Sequence, residues 1–147
     1  MEEHAVTVAV GAQLMISAGL VLVLVIIHSA GLLGIGHFLN LDPEALRRRS
    51  IDLRAMATMA SLGLLLFSLH ILEIMLFAIF YLAIDIFRAF DDALFFSASA
   101  YTTLGLTANF PEGWRMIGAV EALIGFVLIG WSTAFVIGTM ERLQEDR

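Results

Sequence analysis

The stretch that decides the fold is Tyr101-Thr102-Thr103-Leu104-Gly105-Leu106-Thr107. It follows a short apolar segment, from about Asp91 to Thr103, that is too brief to cross a bilayer, and it precedes a long apolar segment. Non-helical backbone at membrane depth is tolerated only where it is buried in protein or lines a water-filled cavity. We therefore expect the short segment to be a re-entrant helix and the run after it to line such a cavity.

The rest of the chain has the composition of an integral membrane protein. Of its 147 residues, 60% are hydrophobic and 15% are charged, whereas soluble domains carry roughly a quarter charged residues. Segments long enough to span a bilayer, which takes about 20 residues, run from about Ala5 to Leu39, Ile51 to Phe87 and Trp114 to Met140. The sequence predicts an all-α fold with three transmembrane helices, one re-entrant pore helix and a filter loop.

The composition also excludes several classes of function. Cysteine is absent, which excludes disulfides, thiolate metal sites and cysteine nucleophiles. The net charge of -6 argues against nucleic-acid binding, because the one basic cluster, Arg47-Arg48-Arg49 with Arg54, lies beside a membrane segment. No nucleophile–base pair or nucleotide-binding loop is visible in the sequence, so we expect neither enzymatic activity nor a cofactor.

Arginines set the expected orientation. All eight basic residues are Arg, and four of them lie between the first and second spans, where positive charge favours the cytoplasmic side. The N-terminus is then outside, the C-terminus is cytoplasmic, and the short segment faces outward from a plasma or inner cell membrane. We divide the chain into an N-terminal transmembrane helix with a cytoplasmic Arg-rich linker (1–50) and a pore module (51–147).

The short segment has features that favour cations. Asp91 and Asp92 are expected to cap the start of its helix, and the C-terminal, negative end of the helix dipole would point toward the pore centre. Backbone carbonyls and hydroxyls there can replace the water shell of a cation. These ion-binding positions are Thr102, Thr103, Leu104, Gly105, Leu106 and Thr107. One loop cannot encircle an ion, so we expect a homotetramer in the lipid bilayer.

The residues from about Ala55 to Arg142 resemble the pore module of the potassium-channel superfamily, and most of all small bacterial two-helix-pore channels. That module consists of an outer helix, a pore helix, a filter and an inner helix. The runs from Glu121 to Gly125 and from Gly130 to Ala134 are similar to its inner helix. The resemblance implies passive conduction of monovalent cations, either K⁺ alone or K⁺ and Na⁺, through a homotetramer.

The filter differs from the family pattern. Where the family has Thr-Val-Gly-Tyr-Gly-Asp, this sequence has Thr103-Leu104-Gly105-Leu106-Thr107-Ala108. Leu106 stands in place of the tyrosine that braces the family's filter against the pore helix, and Thr107 stands in place of the second glycine. The resemblance therefore implies a pore whose potassium selectivity is weakened or altered.

Residues of the pore helix and the third span are candidates for supporting this filter. We assign filter support to Glu121, Ser99 and Tyr101. The glutamate would accept hydrogen bonds from hydroxyls such as those of Ser97, Ser99 or Thr102. An ionisable residue within a span is a functional candidate by default, although a purely structural hydrogen-bonded role for it stays open.

The third span also carries candidates for a gate or hinge, which are Gly125, Gly130 and Ser132. Glycine can act as a hinge, but small residues also let membrane helices approach closely, so close packing stays an alternative. Ser132 is expected nearer the cytoplasmic end, where it can face water in the pore.

Three rival hypotheses depend on other residues. His70 and Glu73 lie three residues apart and share a helix face, so they are candidate metal ligands. If His28 and His37 of the first span converge on them, the chain is a metal- or haem-binding redox subunit. A proton relay through Glu73, Glu121 and His70 is the second rival. The third is a non-conducting regulatory membrane protein with a degenerate filter.

Overall fold

The computed structural model describes residues 10–41, 53–105 and 112–144, and all regular structure in these ranges is helical. The helices are α1 (Val10–Phe38), α2 (Leu53–Ala83), α3 (Phe90–Tyr101) and α4 (Arg115–Gln144), with a 3-10 turn at Glu112–Trp114. Among them, α1, α2 and α4 are long and apolar enough to cross a membrane. The chain is therefore an all-helical, multi-pass membrane protein, and the three predicted spans are confirmed.

Helix α3 is much shorter than the other three helices. Its 12 residues extend about 18 Å at 1.5 Å per residue, well short of the hydrocarbon core of about 30 Å. It packs against both α2 and α4, and α1 packs against the same two helices. The main apolar core joins all four helices, and its buried members are Leu24, Ile74, Phe77, Ala78, Tyr81, Ala93, Phe96, Ala100, Tyr101, Ile117, Ile124 and Leu128.

The chain combines an apolar outer surface with a few polar side chains in its interior. The side chains of His28, Glu73 and Glu121 are fully buried. Large apolar side chains face outward instead, and Leu33 and Leu64 expose 76% and 68% of their surface. In a bilayer this apolar surface contacts lipid tails, so the polar groups inside must find hydrogen-bond partners within the protein.

Helices α1, α2 and α3 end in the same way. Each is followed by one residue with a positive φ, and these residues are Asn40 (φ 50°), Asp85 (φ 57°) and Thr103 (φ 58°). The next residue donates its backbone N–H to a carbonyl five positions earlier, as Leu104 does to Ser99 O at 2.9 Å. This is the Schellman motif, in which glycine is the usual residue at the positive φ. Asn and Asp tolerate that region well, whereas a β-branched Thr is an outlier there.

The start of α3 differs from the expectation. Asp91 and Asp92 do not cap the helix, because it begins one residue earlier, at Phe90, with Ala89 as the N-cap residue in extended backbone and no side-chain cap bond. Both aspartates lie in the first turn and are exposed. Their negative charges still stabilise the N-terminal end of α3 through the helix dipole, but neither residue is its N-cap.

Two further predictions fall outside the described residues. The Arg-rich linker and the division at residue 50 lie within residues 42–52, so that boundary stays a prediction. In the described part, α1 contributes Leu24 to the core that α2, α3 and α4 share. The first span is thus packed together with the segments of the expected pore module.

Candidate functional site

The residues that directly follow α3 are exposed on the surface of the molecule. This 102–105 segment consists of Thr102, Thr103, Leu104 and Gly105, all of them exposed. Leu104 exposes 80% of its surface, while Tyr101, at the end of α3, exposes none. The remaining predicted ion-binding positions, Leu106 and Thr107, lie outside the described residues.

The backbone of the 102–105 segment is unusual at two positions. Thr103 has a φ of 58°, which costs an L-residue with a side chain about 1–2 kcal/mol. Gly105 has a φ of 129°, a region that residues with a Cβ rarely adopt. Thr102 uses its hydroxyl locally and donates to Ala98 O at 2.7 Å. Strained backbone of this kind is concentrated at functional sites, so the segment is a candidate site.

Tyr101 fixes the start of this segment from two sides. Its hydroxyl donates to Glu73 Oε2 at 2.5 Å. Its backbone lies against Gly125, where an added Cβ would be 2.9 Å from both the Cα and the carbonyl carbon of Tyr101. A tyrosine hydroxyl carries its proton near neutral pH, so this group acts as the donor to Glu73.

Glu73 is the centre of a polar cluster that joins three helices, here called the Glu73 cluster: Glu73, His28, His70 and Tyr101. Glu73 Oε1 lies 2.8 Å from His28 Nδ1, and Glu73 Oε2 lies 3.0 Å from His70 Nδ1. His70 Nδ1 is also 2.8 Å from Tyr101 Oη. The Tyr101 hydroxyl donates its proton to Glu73, so the same oxygen can accept a hydrogen bond from His70 N–H. His28 and Tyr101 thus donate to one buried carboxyl group, and His70 shares its single Nδ1 hydrogen between that carboxyl and the Tyr101 oxygen.

Glu121 is the centre of a second polar cluster, which lacks a basic side chain among its hydrogen-bond partners. Tyr81 donates to Glu121 Oε2 at 2.5 Å, and Ser97 Oγ lies 2.5 Å from Glu121 Oε1. Ser97 Oγ is also 2.8 Å from Ile74 O. A hydroxyl has one hydrogen, so Ser97 can donate to Glu121 or to Ile74 O but not to both. Both contacts are hydrogen bonds at once only when Ser97 donates to Ile74 O and a protonated Oε1 of Glu121 donates to Ser97. The geometry therefore suits a neutral carboxylic acid.

The sequence predicted part of this second cluster. The contact between Glu121 and Ser97 is as expected, and it ties α4 to α3. Thr102 does not reach Glu121, because its hydroxyl bonds to its own helix. Ser99 supports the segment through its backbone instead, since Ser99 O accepts from the N–H groups of Leu104 and Gly105 at 2.9 and 3.4 Å.

The structure places the three gate or hinge candidates in different surroundings. Gly125 is packed against the Tyr101 backbone, which matches the close-packing alternative, whereas a Cβ at Gly130 would meet nothing within 4 Å. Ser132 does not face an open side of α4. It is buried, and its Oγ lies 3.4 Å from His28 Nε2, because the rotation of α4 that buries Glu121 also turns this residue toward α1.

The histidines converge only in part. His28 and His70 meet at Glu73, with ring centroids 5.6 Å apart. His37 is not with them and lines a separate cavity of about 390 Å³ beside Phe135 and Arg142. A haem would need a flat space between its axial ligands, but the Glu73 carboxyl occupies the space between His28 and His70, so these residues do not fit a haem.

Two contacts in these clusters were predicted only in part or not at all. The sequence places His28 with His70 and Glu73 only within the metal-site hypothesis, and it does not predict Tyr81 as a partner of Glu121. The signal of His28 and of Tyr81 in the sequence is weak, because each is one polar group in a helix whose apolar residues face all directions. The one sequence signal for a partner is an ionisable residue deep in another span, which is Glu73 for His28 and Glu121 for Tyr81.

Replacing Glu121 distinguishes a neutral acid from a carboxylate. We expect Glu121→Gln to change the thermal midpoint of the purified protein in detergent very little, because the amide can accept from Tyr81 and donate to Ser97. Glu121→Leu should destabilise by about 1–3 kcal/mol, because it removes both hydrogen-bonding functions from a buried position. If the two variants lose the same stability, the neutral-acid interpretation is wrong.

No family model, characterised protein or solved structure matches this chain.

Proposed function

We propose that the chain assembles as a homotetrameric pore for passive conduction of monovalent cations, K⁺ and Na⁺, with potassium selectivity weakened by the divergent filter sequence. The ions would bind to oxygen atoms of the segment from Thr102 to Thr107. The observation that carries the proposal is the exposure of the 102–105 segment directly after the buried C-terminal end of α3, a helix that is too short to span a bilayer.

The polarity of the segment supports this proposal. The N–H groups of the segment and the Thr102 hydroxyl donate to α3, so its exposed polar groups are chiefly carbonyl oxygens. Unpaired polar groups in contact with lipid cost several kcal/mol each, which favours contact of this surface with water or another protein chain. The segment also follows the C-terminal end of α3, where the partial negative charge of the helix favours a cation. A water-filled path on an axis between several copies would satisfy both conditions.

The open face of α4 supports assembly of several copies. The side chains of Leu123, Phe126 and Val127 expose 65%, 67% and 49% of their surface, and Gly130 is exposed one turn further on. Small residues on such a face let neighbouring helices approach closely. Because α4 also contacts the end of α3 through Gly125, copies that meet along this face would bring their 102–105 segments near a common axis.

Ion flux from liposomes tests the proposal. Purified protein is reconstituted, and the flux of K⁺, Na⁺ and a large organic cation is compared under the same gradient. We expect flux of K⁺ and Na⁺ but not of the organic cation. Gly105→Ala should reduce this flux to the level of protein-free liposomes, because alanine disfavours the φ of 129° that Gly105 adopts.

Gly63→Ala is the matched control for the flux measurement. It makes the same change in an exposed part of α2, where an added Cβ meets nothing within 4 Å, and it should conduct as the unchanged protein does. Wild-type liposomes that release no more ions than empty ones would refute the proposal. Equal flux through Gly105→Ala and the unchanged protein would place the path elsewhere.

A further inference from the structure

The Glu73 cluster has the composition and spacing of a metal site. His28, His70 and Glu73 each offer one ligand atom, and these atoms lie within 4.8 Å of one another. They come from two different helices, because His28 belongs to α1 and the other two belong to α2. Only this group of residues in the described ranges brings three such ligands together.

The ligand types match those of zinc sites. Two imidazole nitrogens, one carboxylate oxygen and a fourth position open to another group form a common tetrahedral arrangement for Zn²⁺. Metal–ligand bonds of about 2.0–2.1 Å place tetrahedral ligand atoms about 3.3 Å apart. Glu73 Oε1 lies 2.8 Å from His28 Nδ1, and Glu73 Oε2 lies 3.0 Å from His70 Nδ1. Binding through one carboxylate oxygen would therefore require a rearrangement of these side chains within the 4.8 Å that encloses the three ligand atoms.

Neighbouring residues favour the required form of the histidines. A metal-binding imidazole usually donates its other ring N–H to a nearby acceptor. His28 Nε2 lies 3.4 Å from Ser132 Oγ. When a metal replaces the hydrogen that Nδ1 shares with Glu73, the imidazole hydrogen can therefore move to Nε2 and have an acceptor there. The ring of Trp131 packs against the same imidazole, with centroids 5.5 Å apart, which restricts its rotation.

The fourth position and the access route are also defined. Tyr101 Oη lies 2.8 Å from His70 Nδ1 and 2.5 Å from Glu73 Oε2, so it is at the remaining corner of the cluster. The side chains of His28 and Glu73 are fully buried, whereas His70 is 17% exposed. An ion would therefore enter on the His70 side.

We propose that His28, His70 and Glu73 bind one divalent transition-metal ion, Zn²⁺ by ligand type, with Tyr101 at the fourth position. Binding of the metal does not depend on the proposed pore. Its consequence for conduction does rest on that function: Tyr101 directly precedes the 102–105 segment, so metal binding would hold the segment in one position and change the ion flux.

Metal binding is measured directly on the purified full-length protein in detergent, with any polyhistidine tag removed. Isothermal titration with Zn²⁺ should give one equivalent bound. The absorption spectrum with Co²⁺ should show the intense visible bands of a tetrahedral site. His28→Ala and Glu73→Gln should each weaken Zn²⁺ binding about 100-fold or more, whereas the matched control His37→Ala should bind like the unchanged protein.

Folding of the variants is monitored by their thermal midpoints. Zn²⁺ should raise the midpoint of the unchanged protein and of His37→Ala, because a ligand that binds only the folded state stabilises it. If His28→Ala does not fold, His70→Ala and the Co²⁺ spectrum of the unchanged protein still decide. Octahedral Co²⁺ bands, or equal loss of binding in His37→Ala and Glu73→Gln, would overturn the proposal. Metal binding without any change in liposome flux would retain the site and refute only its effect on conduction.

Discussion

Glu73→Ala is expected to destabilise the protein more than any other single substitution in the polar interior, by about 3–5 kcal/mol. The substitution removes the acceptor that His28, His70 and Tyr101 share. Their N–H and O–H groups would then be left in an apolar interior without the partner that offsets their loss of water. The thermal midpoint in detergent should fall by roughly 10 °C.

Two comparisons isolate this effect. Glu141→Ala removes a glutamate from the exposed end of α4 and should leave the midpoint within about 1–2 °C. A double-mutant cycle with His28→Ala should show a coupling energy of about 1 kcal/mol or more, because the second substitution has less to lose once the first partner is gone. Additive effects of Glu73→Ala and His28→Ala would contradict the hydrogen-bonded pair.

Gly125→Ala is expected to have the second largest effect, a loss of about 3 kcal/mol. The new methyl group would lie 2.9 Å from the Cα and the carbonyl carbon of Tyr101, and closer still to its carbonyl oxygen. These are backbone atoms, which cannot rotate away as a side chain can. Helices α3 and α4 would have to separate, so the 102–105 segment should also lose its position and the proposed ion flux should disappear.

Gly130→Ala is the control on the same helix. An added Cβ there meets nothing within 4 Å, and alanine favours helix over glycine by about 0.5–1 kcal/mol. We therefore expect an unchanged or slightly higher thermal midpoint for Gly130→Ala and a markedly lower one for Gly125→Ala. Similar midpoints for the two variants would mean that α4 does not depend on close contact with Tyr101.

The spans were predictable from the sequence because they depend on one simple property. A run of about 20 apolar residues is long enough to cross a bilayer whatever it packs against. The same length argument predicted that α3 is too short to span. The hydrogen bond between Glu121 and Ser97 was predictable for a different reason, because a buried carboxyl in one helix needs a polar partner at the same depth. The shared face of His70 and Glu73 followed from helical spacing alone.

The contacts between helices were less predictable. Whether His28 meets Glu73 depends on the rotation of α1 about its axis, and apolar residues surround α1 on all sides, so the sequence offers no preferred face. The contact of Tyr81 with Glu121 and the inward position of Ser132 were unpredictable for the same kind of reason. Apolar residues also face all directions on α2 and α4, so the sequence does not define which side of either helix faces inward. The start of α3 was misplaced by one residue because Asp91 and Asp92 also favour the first turn of a helix, not only its cap.

The pairing of His28 with Glu73 has a consequence for how the protein enters the membrane during synthesis. The first span leaves the ribosome with an imidazole in its second half, and the partner carboxyl follows only with the second span. Polar groups inside an isolated transmembrane helix raise its cost of insertion. Insertion of α1 and α2 together, as a helical hairpin, would cover both groups at once. Arrest of translation after the first span should therefore leave α1 less firmly inserted than arrest after the second.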